Sequence, residues 1–272
     1  MEINKDSNAY TISFAIILVV LVGGLLAFIS TSLKPLQDSN VKNEKKQNIL
    51  NCLPGLNFER SQAEENFNIY VKKRVILDYN GVPLDGSERT FENEIDVKDE
   101  LEAFNVNLQK EYRSVEITKR KYPLFECELE GKTYFVIPVT GKGLWDAIWG
   151  YISVESDGET IAGAIFDHKA ETPGLGAEIN KDEFENQFIK NQNGVPLKIG
   201  TAASIASLTP ENFKSIDVVK PGSLSDPDYE VNGISGGTFT SVGVQEMLKR
   251  TFYVYYKHFN EIDLKSQTAK LQ

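Results

Sequence analysis

The chain has 272 residues, enough for one large domain or two small ones around a sizeable core. Its 39 acidic against 29 basic residues give a formal charge of −10, which repels a phosphate backbone and argues against nucleic acid as a partner. Cys52, Cys127, His168 and His258 have no CxxC, HxxxH or HExxH spacing, which argues against an iron–sulfur or zinc centre built by this chain alone; the two thiols read as buried and free.

The first element is an anchor. No charged residue occurs from Ser7 to Leu33, and Ile12 to Ile29 is nearly all apolar. That stretch as a helix spans roughly 27 Å, close to the ~30 Å hydrocarbon core of a bilayer. A cleavable signal peptide would have a shorter apolar run and an A-x-A-like site after it, and neither is found. Residues 1–11 are read as a short tail, 12–33 as a transmembrane helix, 34–55 as a helical stalk ended by Pro54-Gly55, and 56–272 as the main domain. Lys34, Lys42, Lys45 and Lys46 follow the anchor, and counted by the positive-inside rule they place the large domain in the cytoplasm.

Beyond the stalk, Ser61 to Ile76 looks helical in part, Tyr79 to Ser87 is rich in turn residues, and Phe91 to Glu102 reads as a charged, solvated stretch. KTYFVIPVTG, LWDAIWGYISVE and ETIAGAIFDH are β-rich runs separated by turns and predict an antiparallel sheet. Asn180 and Glu183 stand at capping-box spacing and predict a short helix from Lys181. From Val242 to Ile262, the apolar residues Val244, Leu248, Phe252, Tyr255, Phe259 and Ile262 recur every three or four positions, as on the buried face of a helix. Strands interleaved with a few helices make the fold α+β.

Just before that last helix lies VNGISGGTFTS, from Val231 to Ser241. Ser235, Gly236, Gly237 and Thr238 make a compact turn whose amides can approach an anion closely, and Thr240 or Ser241 can cap the helix. A phosphate could rest there without a basic side chain, although the lysine of a Walker loop has no counterpart. Read from the residues alone, such a stretch is more often an ordinary glycine turn with an N-cap before a helix.

The stretch resembles the flavinylation motif D-x-x-[ST]-G-A-[ST] of the FMN-binding family shared by the NqrC and RnfG subunits of bacterial respiratory complexes. Asn232 stands where Asp is usual and Gly237 where Ala is usual, departures that bear on recognition by the modifying enzyme. His168 to Ile179 (HKAETPGLGAEI) and Gly141 to Glu155 (GKGLWDAIWGYISVE) resemble two further stretches of that family. LKPLQ (Leu33 to Gln37) and KNEKKQNIL (Lys42 to Leu50) resemble its NqrC branch. The resemblance implies FMN esterified to Thr238 by a dedicated flavin transferase, and a one-electron relay within the sodium-translocating NADH:quinone reductase.

It further implies a single-pass protein of the bacterial inner membrane among the other subunits of a redox complex, with its large domain extracytoplasmic. That orientation opposes the lysine count. The isolated chain is expected to be inactive alone. Leu144, Trp145 and Leu175 are expected to wall the flavin, and Thr172 with the amides of Gly174, Leu175, Gly176 and Ala177 to hydrogen-bond it. Glu171 is counted among the cofactor-binding residues, with orientation of the loop as its blander reading; His168 reads as a structural histidine, and Asp167 and Glu178 as surface charges. Trp145 reads equally as plain core. Other readings are an RnfG-like subunit of a ferredoxin-linked complex, a non-redox anchored binding protein, and a self-sufficient flavin reductase.

Overall fold

The structure, a computed structural model, describes residues 7–270. Helix α1 runs Asn8–Asn51 through Pro35, and it is the one helix among the described residues long and apolar enough to cross a membrane. From Ile12 to Leu33 its large apolar side chains are exposed. The chain divides into two compact units, 1–45 and 46–272.

In the second unit follow α2 (Ala63–Tyr70), β1 (Val71–Leu77), β2 (Arg89–Thr90), α3 (Leu108–Ser114), β3 (Tyr122–Leu129), β4 (Lys132–Lys142), β5 (Ala147–Glu155) and β6 (Ile161–His168). Then come α4 (Asp182–Ile189), β7 (Asp217–Val219), β8 (Glu230–Asn232) and α5 (Thr238–Lys270). The three expected β runs are β4, β5 and β6. They belong to a six-stranded antiparallel sheet ordered β2-β1-β3-β4-β5-β6, while β7 and β8 form a small parallel pair.

The sheet is buried on both faces, and the period of two along its strands shows why. In β4, Ile137 and Val139 join a core with Val244, Met247, Leu248, Phe252 and Tyr255 of α5, whereas Tyr134 and Val136 face a second core. That second core is filled by Ile49, Cys52 and Leu53 at the end of α1 and by Phe67 of α2. The stalk expectation therefore needs correcting. Residues 34–51 are helical, but Lys46, Ile49, Leu50, Cys52 and Leu53 are buried in the domain, and Lys46 pairs with Glu64 at 2.7 Å. Both cysteines are free and buried, and burial pushes the Cys52 thiol up to about 12.

Two local expectations fail for tertiary reasons. The stretch Phe91 to Glu102 is not solvated throughout, because Glu102 is buried and grips Arg74 of β1 through two bonds, at 2.9 and 3.0 Å. The Asn180 capping box does not form. Lys181 takes the capping backbone position of α4, and the buried Oδ1 of Asn180 has no hydrogen-bond partner among the described residues. The α5 stripe Val244, Leu248, Phe252, Tyr255 and Phe259 is buried as the spacing requires; the Ile262 side chain lies outside those described.

Edge strand β6 is covered by α4, whose Glu185 accepts the Phe166 N–H at 2.6 Å. Burial, with help from Asp182 and Asp167, raises the Glu185 carboxyl from its ordinary 4.5 to about 7. A raised folded value means that the stability this group contributes is complete below about pH 4.5 and is lost as pH rises through about 7. Glu185→Gln keeps the acceptor and removes the charge. It should raise the melting temperature by roughly a few °C at pH 8, with the gain vanishing towards pH 4. Equal melting of the two proteins at pH 8 would contradict this.

Candidate functional site

Three loops converge at the N-terminus of α5. Helix α5 begins at Thr238, six residues before the first residue of the periodic stripe, Val244, and its first closing bond is Ser241 N–H to Gly237 O at 2.9 Å. Thr240 and Ser241 thus lie inside the first turn and do not cap it. Their hydroxyls are spent elsewhere: Ser241 Oγ accepts the Ile234 N–H at 3.0 Å, and Thr240 Oγ1 donates to Glu171 Oε2 at 2.5 Å. Both are buried, while Ser235 and Thr238 are exposed. The turn needs glycine at 236, where φ is +72° and a Cβ would lie 2.7 Å from the Leu175 side chain.

Glu171 is the hinge of the arrangement. It is buried at 5 % exposure, and its Oε1 accepts the Trp145 N–H at 3.0 Å. Its own N–H donates to His168 Nδ1 at 3.3 Å, so one ring nitrogen of His168 is engaged in holding this loop. Burial works to raise the Glu171 carboxyl, but the Thr240 hydroxyl and the N–H groups of the 144–146 loop outweigh it and hold the group below its ordinary value.

Leu144, Trp145 and Leu175 are exposed, Trp145 at 66 %, so Trp145 is not core. Its indole Nε1–H donates to Thr172 Oγ1 at 3.2 Å. Three of the four amides expected to serve a ligand are consumed locally: Gly174 N–H goes to Glu178 Oε1, and the Leu175 and Ala177 N–H groups go to Thr172 O. Asp167 and Glu178 are half-buried and accept backbone N–H bonds, so neither is a plain surface charge.

The sequence reading missed Phe239, which is 72 % exposed, and Val242, both next to Thr238. It also missed Lys220. An open cavity of about 240 Å³ beside Thr238 is lined by Val218, Lys220, Pro221, Ile234, Gly236 and Val242, so a lysine is among the residues around the space next to the loop. Nothing local to VNGISGGTFTS announces it, since β7 and the turn after it bring it there. Asn232 also has a structural role. Its Oδ1 accepts the Gly222 N–H at 2.8 Å and its Nδ2 donates to Gln187 Oε1 at 3.2 Å, a donor that an aspartate lacks.

An exposed hydroxyl on a glycine turn at a helix N-terminus, next to a lysine and an apolar shelf, suits a phosphate joined to a flat aromatic group. Residues 143–252 match the family model of the FMN-binding domain, which covers all three converging loops apart from Gly141 and Lys142. This defines the class as flavin-binding. The solved NqrC, from the Na(+)-translocating NADH-quinone reductase of Parabacteroides distasonis, is 36 % identical, with a TM-score of 0.65; the match covers 84 % of this chain and 96 % of that one. The corresponding NqrC protein of Haemophilus ducreyi is 26 % identical over 92 % of both chains. The Shewanella oneidensis NqrC structure, 21 % identical with a TM-score of 0.58, shares the fold over 82 % of this chain and 98 % of that one. The chain belongs to the NqrC family of the Na(+)-translocating NADH-quinone reductases.

Proposed function

We propose that the chain carries FMN as a phosphoester on Thr238 and relays single electrons between other redox centres of a sodium-translocating NADH-quinone reductase. The observation that supports Thr238 as the acceptor is the division of hydroxyls around the turn. Thr240 and Ser241 are buried and hydrogen-bonded, whereas Thr238 is exposed at the start of α5, beside the cavity that holds Lys220. The helix N-terminus and Lys220 both favour a negative group at that oxygen. Formation of the ester needs an activated flavin phosphate and a flavin transferase. The Thr238 Oγ1–P bond forms as the P–O bond of the activated flavin's phosphoanhydride breaks, the other phosphate half departs as the leaving group, and the hydroxyl proton passes to a base of the transferase.

FMN, when bound, supplies the redox chemistry, and the protein supplies position and electrostatics. Leu144, Trp145 and Leu175 offer an apolar shelf for a flat ring, with Thr172 fixing the indole and Ser235, Gly236 and Gly237 shaping the turn under the phosphate. Gly174 and Gly176 keep the opposite loop tight. A covalent bond suits a chain of charge −10, which would otherwise hold a dianion weakly. In this reading residues 12–33 cross the bacterial inner membrane, the large domain is extracytoplasmic, and partner subunits handle NADH, quinone and sodium. The chain alone then has no NADH turnover.

The test is made on chain purified from a host that has the flavin transferase. Thr238→Ala should abolish in-gel flavin fluorescence and the flavin mass increment together, a loss of at least ~100-fold, whereas Ser235→Ala, which removes the other exposed hydroxyl of the turn, should keep both. Equal fluorescence from Thr238→Ala, or a dark wild-type band, would overturn the reading.

A further inference from the structure

Glu171 is a buried carboxylate that pairs with no lysine or arginine among the described residues. Its charge is held by a hydroxyl and by backbone N–H groups. Its two oxygens reach two different loops: Oε1 bonds Trp145 N–H at 3.0 Å, and Oε2 bonds Thr240 Oγ1 at 2.5 Å. The space around them is kept by glycine. A Cβ on Gly143 would lie 2.5 Å from Oε1, and a Cβ on Gly176 would lie 2.6 Å from Oε2 and 2.3 Å from Thr240 Oγ1. Thr240 is two residues from Thr238 in the same helical turn, so whatever fixes one fixes the frame of the other.

We propose that Glu171 and Thr240 form a positioning pair, in which Thr240 locks the first turn of α5 so that the Thr238 hydroxyl faces outward, and the Glu171 charge sets the electrostatic environment of the group joined there. The proposal rests on the attachment reading above for its second half only. The first half concerns the chain itself. A buried ion pair with a cation would serve equally for packing but would cancel the charge. A carboxylate held by neutral donors keeps its field, which opposes adding an electron to a nearby flavin. The pair also keeps the second threonine of T-x-T out of reach, leaving Thr238 as the acceptor.

The experiment uses the full-length chain, made with and without the flavin transferase, as wild type, Thr240→Val, Thr240→Ser and Glu171→Gln. Amide hydrogen exchange on the unmodified chain is expected to speed up at least 10-fold across 235–241 in Thr240→Val and to return to the wild-type rate in Thr240→Ser, with melting temperatures that show all four folded. Flavin attachment should slow at least 10-fold in Thr240→Val and recover in Thr240→Ser. The attached flavin of Glu171→Gln should have a more positive midpoint potential than wild type.

Wild-type exchange and attachment in Thr240→Val, or an unchanged potential in Glu171→Gln, would overturn the pair. A wild type that stays dark with the transferase present would refute attachment, and the exchange arm would still decide whether Thr240 locks the turn.

Discussion

Glu102→Ala should lower the melting temperature of the domain by roughly 10 °C or more, the largest loss expected from any single truncation of a polar group here. Arg74 and Glu102 are 0 % and 1 % exposed, and they meet in a two-pronged bond. The guanidinium also donates to the carbonyls of Thr90 and Asn93, at 3.3 and 2.9 Å, which draws the 90–102 loop onto β1. Removing the carboxylate leaves a cation inside the protein with only carbonyls for company, at a cost of ~3–5 kcal/mol. Removing both charges avoids that penalty, so Arg74→Met with Glu102→Leu should lose much less than Glu102→Ala alone. Chemical denaturation of the three proteins checks this. If the double variant is no better than the single one, the pair contributes its attraction and not merely the avoidance of an orphan.

The second large effect is steric. Gly163 of β6 lies under the end of α1, where a Cβ would come 2.0 Å from the Cys52 carbonyl oxygen and 2.7 Å from Ser153 Oγ. That oxygen already accepts the Ser153 hydroxyl at 2.6 Å, and the Cys52 thiol donates to Tyr151 O at 3.1 Å. The obstacle is backbone, so no rotamer change relieves it. Gly163→Ala should cost ~3 kcal/mol or more, at or beyond the top of the usual range for overpacking. Ser153→Ala, which only deletes one buried hydrogen bond, should cost about 1–2 kcal/mol. A Gly163→Ala protein as stable as wild type would mean that the chain end moves aside freely.

Elements with a simple period were legible in the sequence. The stripe from Val244 to Phe259 and the alternation in β4 depend on residues a few positions apart, and those signals survive without tertiary knowledge. β1 was hidden because Lys72, Lys73 and Arg74 interrupt its apolar run, and the partner that makes Arg74 tolerable lies 28 positions on. The start of α5 was misplaced for a similar reason. Thr240 and Ser241 are good capping residues by type, but Glu171 and Ile234 claim their hydroxyls first. At the site, the resemblance brought Ser235 to Thr238, Leu144 to Trp145 and Glu171 to Gly176 to attention. It did not reveal that Glu171 joins them, nor that Lys220 stands beside Thr238, since both depend on how separate segments meet. Asn232, a departure from the motif, is used as an amide, with donor and acceptor both engaged.

The last turn of α1 and the two residues after it supply part of the hydrophobic interior, because Ile49, Leu50, Cys52 and Leu53 are all buried. A protease acting anywhere between Ile49 and Gly55 would therefore carry off interior residues with the severed piece. Shedding an intact globule requires scission ahead of Lys46, which makes the few positions before it the natural point of release.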